Sequence, residues 1–146
     1  MSFFGSMNTS ASGMTAQRLR LDVISQNLAN ANTTRTEEGG AYKRKAVIFE
    51  TATNPDAFNN ILGQYSQGAY KGVRVSQIVT DNTPSPVVYN PTHPDANAEG
   101  YVEMPNVNTV DEMVNMISAS RSYEANVTAF NAMKAMAAKA LEIGKS

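Results

Sequence analysis

Apolar residues return at every seventh position near the start of the chain, at Met7, Met14, Leu21 and Leu28. Phe3, Ala11, Ile24 and Ala31 stand three or four residues from members of that row. No proline interrupts residues 3 to 34, so the spacing predicts a helix with one continuous apolar stripe. Arg18, Arg20, Asp22 and Gln26 fall on its other faces. A repeat of about 3.5 residues favours a coiled-coil seam over an ordinary amphipathic helix. Gly13 and several Ser, Thr and Asn residues lower the intrinsic propensity, so this helix needs a partner.

The other end of the chain predicts a stronger helix. Residues 108 to 144 hold no proline and are rich in Ala, Met, Glu and Lys. Asn108 is placed to cap it, Asp111 and Glu112 suit the positive end of the helix dipole, and Gly144 is a plausible stop. Met116, Tyr123, Phe130 and Ala137 form one seven-residue row, and Ala119, Asn126, Met133 and Ala140 its companion. Val110, Met113, Val114, Ile117 and Val127 lie off that seam, so the apolar surface is wider than one antiparallel partner covers. A helix of about 36 residues would run ~54 Å, too long for the interior of so small a globule.

The middle changes character. Five of the six prolines lie between residues 50 and 95, and short β-like runs appear at 42–50, 72–80, 87–89 and 101–102. Residues 54 to 66 are polar without a firm period, and 83 to 94 should be extended. The expected architecture is mainly α with a small β insert. An N-terminal helix (1–35) and a C-terminal helix (108–146) pair as an antiparallel coiled coil around an irregular β-rich segment (36–107).

Composition removes several functions. The chain has 146 residues, no Cys and one His, which excludes disulfides, a thiolate metal site and a Cys nucleophile. Its formal charge of −1 lacks the positive field of a nucleic-acid binder. No stretch approaches the roughly 18 to 20 apolar residues that span a bilayer. Residues 1 to 5 do not resemble a cleaved secretory signal. No cofactor is implied.

Candidate chemistry is sparse. His93 lies between Pro91 and Pro94 with Asp95 nearby, but no motif supplies a nucleophile, so a loop histidine is the expectation. The glycines fit neither a Walker A loop nor a dinucleotide fingerprint. In Lys43-Arg44-Lys45, Arg44 shares a strand face with Tyr42 and Ala46 while the lysines share the other; a solvated strand edge is expected. The Asn-rich run around Asn27, Asn30 and Asn32 reads in two ways. Its amides either cap the helix end or bond across a helix interface and fix register.

Those residues also carry a resemblance. Ser12-Gly13-Met14-Thr15-Ala16-Gln17-Arg18 leading to Asn27-Leu28-Ala29-Asn30-Ala31-Asn32-Thr33 resembles the N-terminal signature of bacterial flagellar rod and hook proteins. Further stretches are similar to rod subunits of that family: Tyr42-Lys43-Arg44-Lys45 on to Phe49-Glu50, residues 88–96 with Gly100-Tyr101-Val102, residues 104–108, residues 112–116, and Ser118 through Ser122, Tyr123, Asn126 and Val127. Asn90 and Thr92 depart from the Asp and Gly usual in the loop around His93, and residues 54 to 70 match loosely.

The resemblance implies a non-enzymatic structural subunit of the proximal rod, the drive shaft that carries motor torque. It implies export through the flagellar type III apparatus to the basal body, and assembly with itself and with other rod subunits. The expected assembly interface is Met7, Met14, Leu21, Leu28, Val110, Met113, Ile117, Tyr123, Phe130 and Met133. Another axial rod subunit, or an export-linked secreted binding protein, is the alternative. A cell-wall glycan hydrolase would need a carboxylate pair, and Asp95 and Glu99 are the nearest.

Overall fold

A computed structural model describes residues 3–37, 39–52 and 72–144. The elements run α1 (Phe3–Ala29), β1 (Lys45–Thr51), β2 (Val73–Thr80), β3 (Val87–Tyr89), β4 (Tyr101–Glu103) and α2 (Thr109–Ile143). Two long terminal helices flank a small β middle, as the sequence predicts. The polar run 54–66 lies outside the described residues.

Local chemistry sets the helix ends. α1 stops at Ala29, short of the expected residue 34. There the Ala31 N–H bonds Leu28 O at 3.3 Å, a tightened turn, and the Asn30 amide donates to Gln26 O at 2.9 Å. Thr33 Oγ1 donates to Asn30 Oδ1, so the Asn30 side chain closes the helix and steers the exit. At α2, Asn108 Oδ1 accepts the Val110 N–H at 3.0 Å, the expected cap. Gly144 follows the last helical residue without entering the left-handed region, so no glycine cap forms there. Lys139 reaches Glu142 at 2.7 Å instead of the last carbonyls.

β1 and β2 form one two-stranded sheet. The Asp81 N–H bonds Arg44 O, and the Ala52 N–H bonds Gly72 O, both at 2.7 Å, so the strands are antiparallel. β3 and β4 form a second antiparallel pair, with Val88 opposite Val102 and Tyr89 opposite Tyr101. The two tyrosine rings meet edge to face, 5.3 Å between centroids. Gly100 supports that contact: its φ is 82°, and a Cβ there would stand 2.9 Å from Tyr89 Cε2.

The chain divides into two compact units. One takes Arg20–Ile48 and Gln77–Ser118. Its core is Val23, Ile24, Ala31, Tyr42 and Val102, and α1 and α2 meet in it antiparallel. Asn27 contacts Glu112 and Arg20 contacts Asn115, so α1 falls as α2 rises. The other takes the described residues within Met1–Leu19, Phe49–Ser76 and Ala119–Ser146. Here the inward residues are small: Gly13, Ala16 and Ala119 are buried. A Cβ on Gly13 would lie 3.1 Å from the Asn126 amide.

The deepest positions of α1 are Gly13, Ala16, Val23, Ile24 and Asn27. Met7, Met14, Leu21 and Leu28 are half-buried on the shoulder of that row, so the predicted stripe is displaced by part of a turn. Close helix approach explains the shift, because glycine and alanine let backbones near each other where Met and Leu cannot.

Candidate assembly surface

The inner faces meet on polar chemistry. Asn27 and Glu112 are the largest fully buried side chains among the described residues. The Asn27 amide donates to Lys45 O at 2.8 Å and to Glu112 Oε2 at 2.9 Å. Its Oδ1 accepts the Lys45 N–H at 2.9 Å and the Tyr42 hydroxyl at 3.0 Å. Arg44 approaches Glu112 Oε1 with Nε at 2.9 Å and with Nη2 at 2.8 Å. The Arg44 N–H donates to Asn106 Oδ1 at 2.7 Å, and the Asn106 amide bonds Asp81 O and Thr83 O at 3.1 Å each.

The expected solvated edge at 43–45 is therefore corrected. The alternation is right, but the face with Tyr42 and Arg44 turns inward, and of the three basic residues only Lys43 is exposed. Burial pushes the Tyr42 hydroxyl above its usual value, and the Glu112 charge adds to that. At the half-buried Asp81, bonds from the Thr83 hydroxyl and N–H, with Arg44 beyond them, hold the carboxyl below its usual range. The Asn-rich run divides its labour: Asn27 bonds across the helix interface, while Asn30 closes the helix end.

The outer face of the same stretch of α2 is apolar. Val110, Met113, Val114 and Ile117 stand at i, i+3, i+4 and i+7, and share one side of the helix. They are 65%, 51%, 61% and 55% exposed. Glu112 points the opposite way into the interior, so each side of this helix turn has its own task. Tyr123, Phe130 and Met133 are half-buried, and Met136, Leu141 and Ile143 are exposed, all in the other unit. Val87, Val88, Tyr89 and Tyr101 on the β3–β4 pair are also exposed. Lone apolar residues at a surface are ordinary; a contiguous row marks an interaction site.

The loop around His93 is tied down by its own contacts. Thr34 Oγ1 donates to Asp95 Oδ2 at 2.7 Å, and Arg35 stands 3.8 Å from the same carboxylate. His93 Nδ1 accepts the Asp95 N–H at 3.1 Å, so it is not a donor to the carboxylate oxygen 4.0 Å away. An open cavity of about 620 Å³ adjoins this loop, lined by Arg35, Asp95, Asn97, Tyr101 and Glu103 among others. No described group of three or more His, Cys, Asp or Glu residues is placed to hold a metal.

Comparison with known proteins decides the family. Residues 7–35 match the family described as flagella basal body rod protein, and residues 98–143 match the C-terminal region of the flagellar basal body rod FlgEFG proteins. The flagellar basal-body rod protein FlgC of Bacillus subtilis is 51% identical over 152 residues, covering 99% of this chain and all of the relative. FlgC of Borreliella burgdorferi is 47% identical, with 98% of each chain covered. FlgC of Salmonella typhimurium is 39% identical over 99% of this chain and all of its own.

The chain belongs to the FlgC family of flagellar basal-body rod proteins. It is a structural subunit of the basal-body rod, and its FlgC relatives are rod proteins, not enzymes. The Asn27–Leu28–Ala29–Asn30 signature that carried the resemblance sits where α1 joins the buried polar cluster. Sequence reasoning missed Glu112 and Arg44 as parts of that cluster. A signal was present, since Glu112 lies four residues before Met116 on the inward row.

Proposed function

We propose that this subunit builds the proximal rod, the shaft that transmits motor torque, by burying the outward stripe of α2 against neighbouring subunits. The observation that carries the reading is the exposed row Val110, Met113, Val114 and Ile117, set opposite a face already engaged within the chain. A contact between two different patches whose rotation does not close a ring continues, when repeated, as an open helical assembly. Each Å² of apolar surface covered contributes roughly 25 cal/mol before ordering costs. Met7, Met14, Leu21, Leu28, Tyr123, Phe130 and Met133, all half-buried, offer neighbours the shoulders of the helix pair.

The α1–α2 pairing is read as a coiled coil, supported by buried positions at 16, 23 and 27 and at 112 and 119. Export through the flagellar type III apparatus to the basal body completes the reading. Partners are other copies and other rod subunits, with no role for nucleic acid. No described helix is long and apolar enough to cross a membrane.

The test is Val114→Asp combined with Ile117→Asp. Both side chains are exposed, so the isolated chain should keep its helical signal and thermal midpoint. Rod incorporation and swimming of a complemented deletion strain should be lost. Wild-type motility in that strain would overturn the interface assignment.

A further inference from the structure

We propose that Asn27, Glu112 and Arg44 are positioning residues that set the axial register of α1 against α2 and fix where β1 departs from the helix pair. An amide and a carboxylate at the centre of a helix seam are expensive unless every donor and acceptor is used. Asn27 uses its full capacity, two bonds given and two received. Two of the four go to the N–H and the C=O of one residue, Lys45. The side chain thus bonds the first residue of β1 as a neighbouring strand would.

Glu112 completes the arrangement from the opposite helix. One oxygen takes the Asn27 amide, and the other takes the Arg44 guanidinium. Its orientation is dictated on both sides. A slip of one helical turn would set Asn27 against Met116 or Asn108 and strand the carboxylate. Slipping the apolar seam residues Val23 and Ile24 would exchange one greasy contact for another, with little discrimination. Directional polar bonds therefore select the register, as a single buried Asn does in coiled coils.

With the register fixed, Val110, Met113, Val114 and Ile117 are presented at one height relative to the 42–45 segment. That consequence for assembly rests on the rod reading above; the register itself does not. The chain has no Cys, so an engineered pair reports register cleanly. Arg20 Nη2 lies 3.4 Å from Asn115 Oδ1, and Arg20→Cys with Asn115→Cys marks the native alignment. Arg20→Cys with Asp111→Cys marks a slip of one helical turn, the one that would set Asn27 against Asn108.

Each pair is bridged with a short bis-maleimide in the full-length chain, with and without Asn27→Leu plus Glu112→Leu, because the Arg20–Asn115 contact is made by the ends of the side chains. The double-Leu chain leaves Arg44, the Tyr42 hydroxyl and the Lys45 N–H and C=O without these partners, so it should unfold at a lower temperature but still cooperatively. Its native cross-link should fall by about tenfold, within the range that coupled neighbours show, while the slipped cross-link rises. An undiminished native cross-link overturns the proposal. Loss of cooperative folding overturns it as well, by assigning the cluster to stability alone. Slipped cross-linking with full motility leaves the register claim standing and removes the rod-surface reading.

Discussion

The two stretches of the helix pair hold together by opposite means. Residues 20–29 and 109–118 meet through fully engaged polar groups, with a buried amide and a buried carboxylate at the centre. Residues 13–16 and 119–126 meet through small side chains, with Gly13 so near Asn126 that one added carbon would touch it. Directional bonds discriminate among alignments but cost desolvation. Small-residue packing gives dispersion contacts cheaply but says little about register. The first stretch specifies, and the second mainly adheres.

The comparison breaks most severely at Glu112. Glu112→Ala leaves Asn27 and Arg44 facing a void and should cost about 3–5 kcal/mol in urea unfolding, as removal of one partner of a buried pair does. A loss as small as that of a surface substitution would erase the distinction between the stretches. Gly13→Val tests the other side. Its methyls enter space held by the Asn126 amide, itself bonded to Ser122 O at 2.8 Å, and overpacking should cost about 1–3 kcal/mol.

Gly72→Ala sharpens the picture where β2 begins. A Cβ there would stand 2.4 Å from Ser12 Oγ, which donates to Thr9 O at 2.7 Å and accepts the Val73 N–H at 3.1 Å. That hydroxyl is held on both sides, so the expected loss is again about 1–3 kcal/mol. Combining Gly72→Ala with Ser12→Ala should recover part of it in the same denaturation assay.

The smallest effect is a pH dependence. The Tyr42 hydroxyl titrates above its ordinary value of 10.0 because burial, and then the Glu112 charge, disfavour the phenolate. A folded-state value raised above the unfolded one gives stability that is complete below pH about 10 and is lost as pH rises through the folded value. Alkaline titration followed by tyrosinate absorbance should show one delayed group coupled to unfolding. In Tyr42→Phe that delayed group should vanish, with about 1 kcal/mol lost at neutral pH.

Much of this was legible in the residues. The Asn108 cap, the two terminal helices, the short strands at 87–89 and 101–102 and the excess apolar width of α2 follow from spacing and turn chemistry. The inward face of α1 was harder to read. Bulky Met7, Met14, Leu21 and Leu28 advertise a stripe, whereas the closest approach selects Gly13, Ala16 and Asn27, which score poorly on any hydropathy scale. Glu112 was read as an acid suited to the helix dipole, which it is by position, but a charge gives no sign of burial until its cation is known. That cation, Arg44, lies 68 residues earlier in the chain and looks from its neighbours like part of a solvated basic run.

The bond between Asn27 and Glu112 joins residues 85 positions apart. Turns of helix form within local stretches and need only nearby chain, whereas this tie must close a long loop before anything is returned for the lost entropy. A polypeptide emerging end first from any narrow conduit, whichever terminus leads, cannot complete its fold while most of its length is still inside.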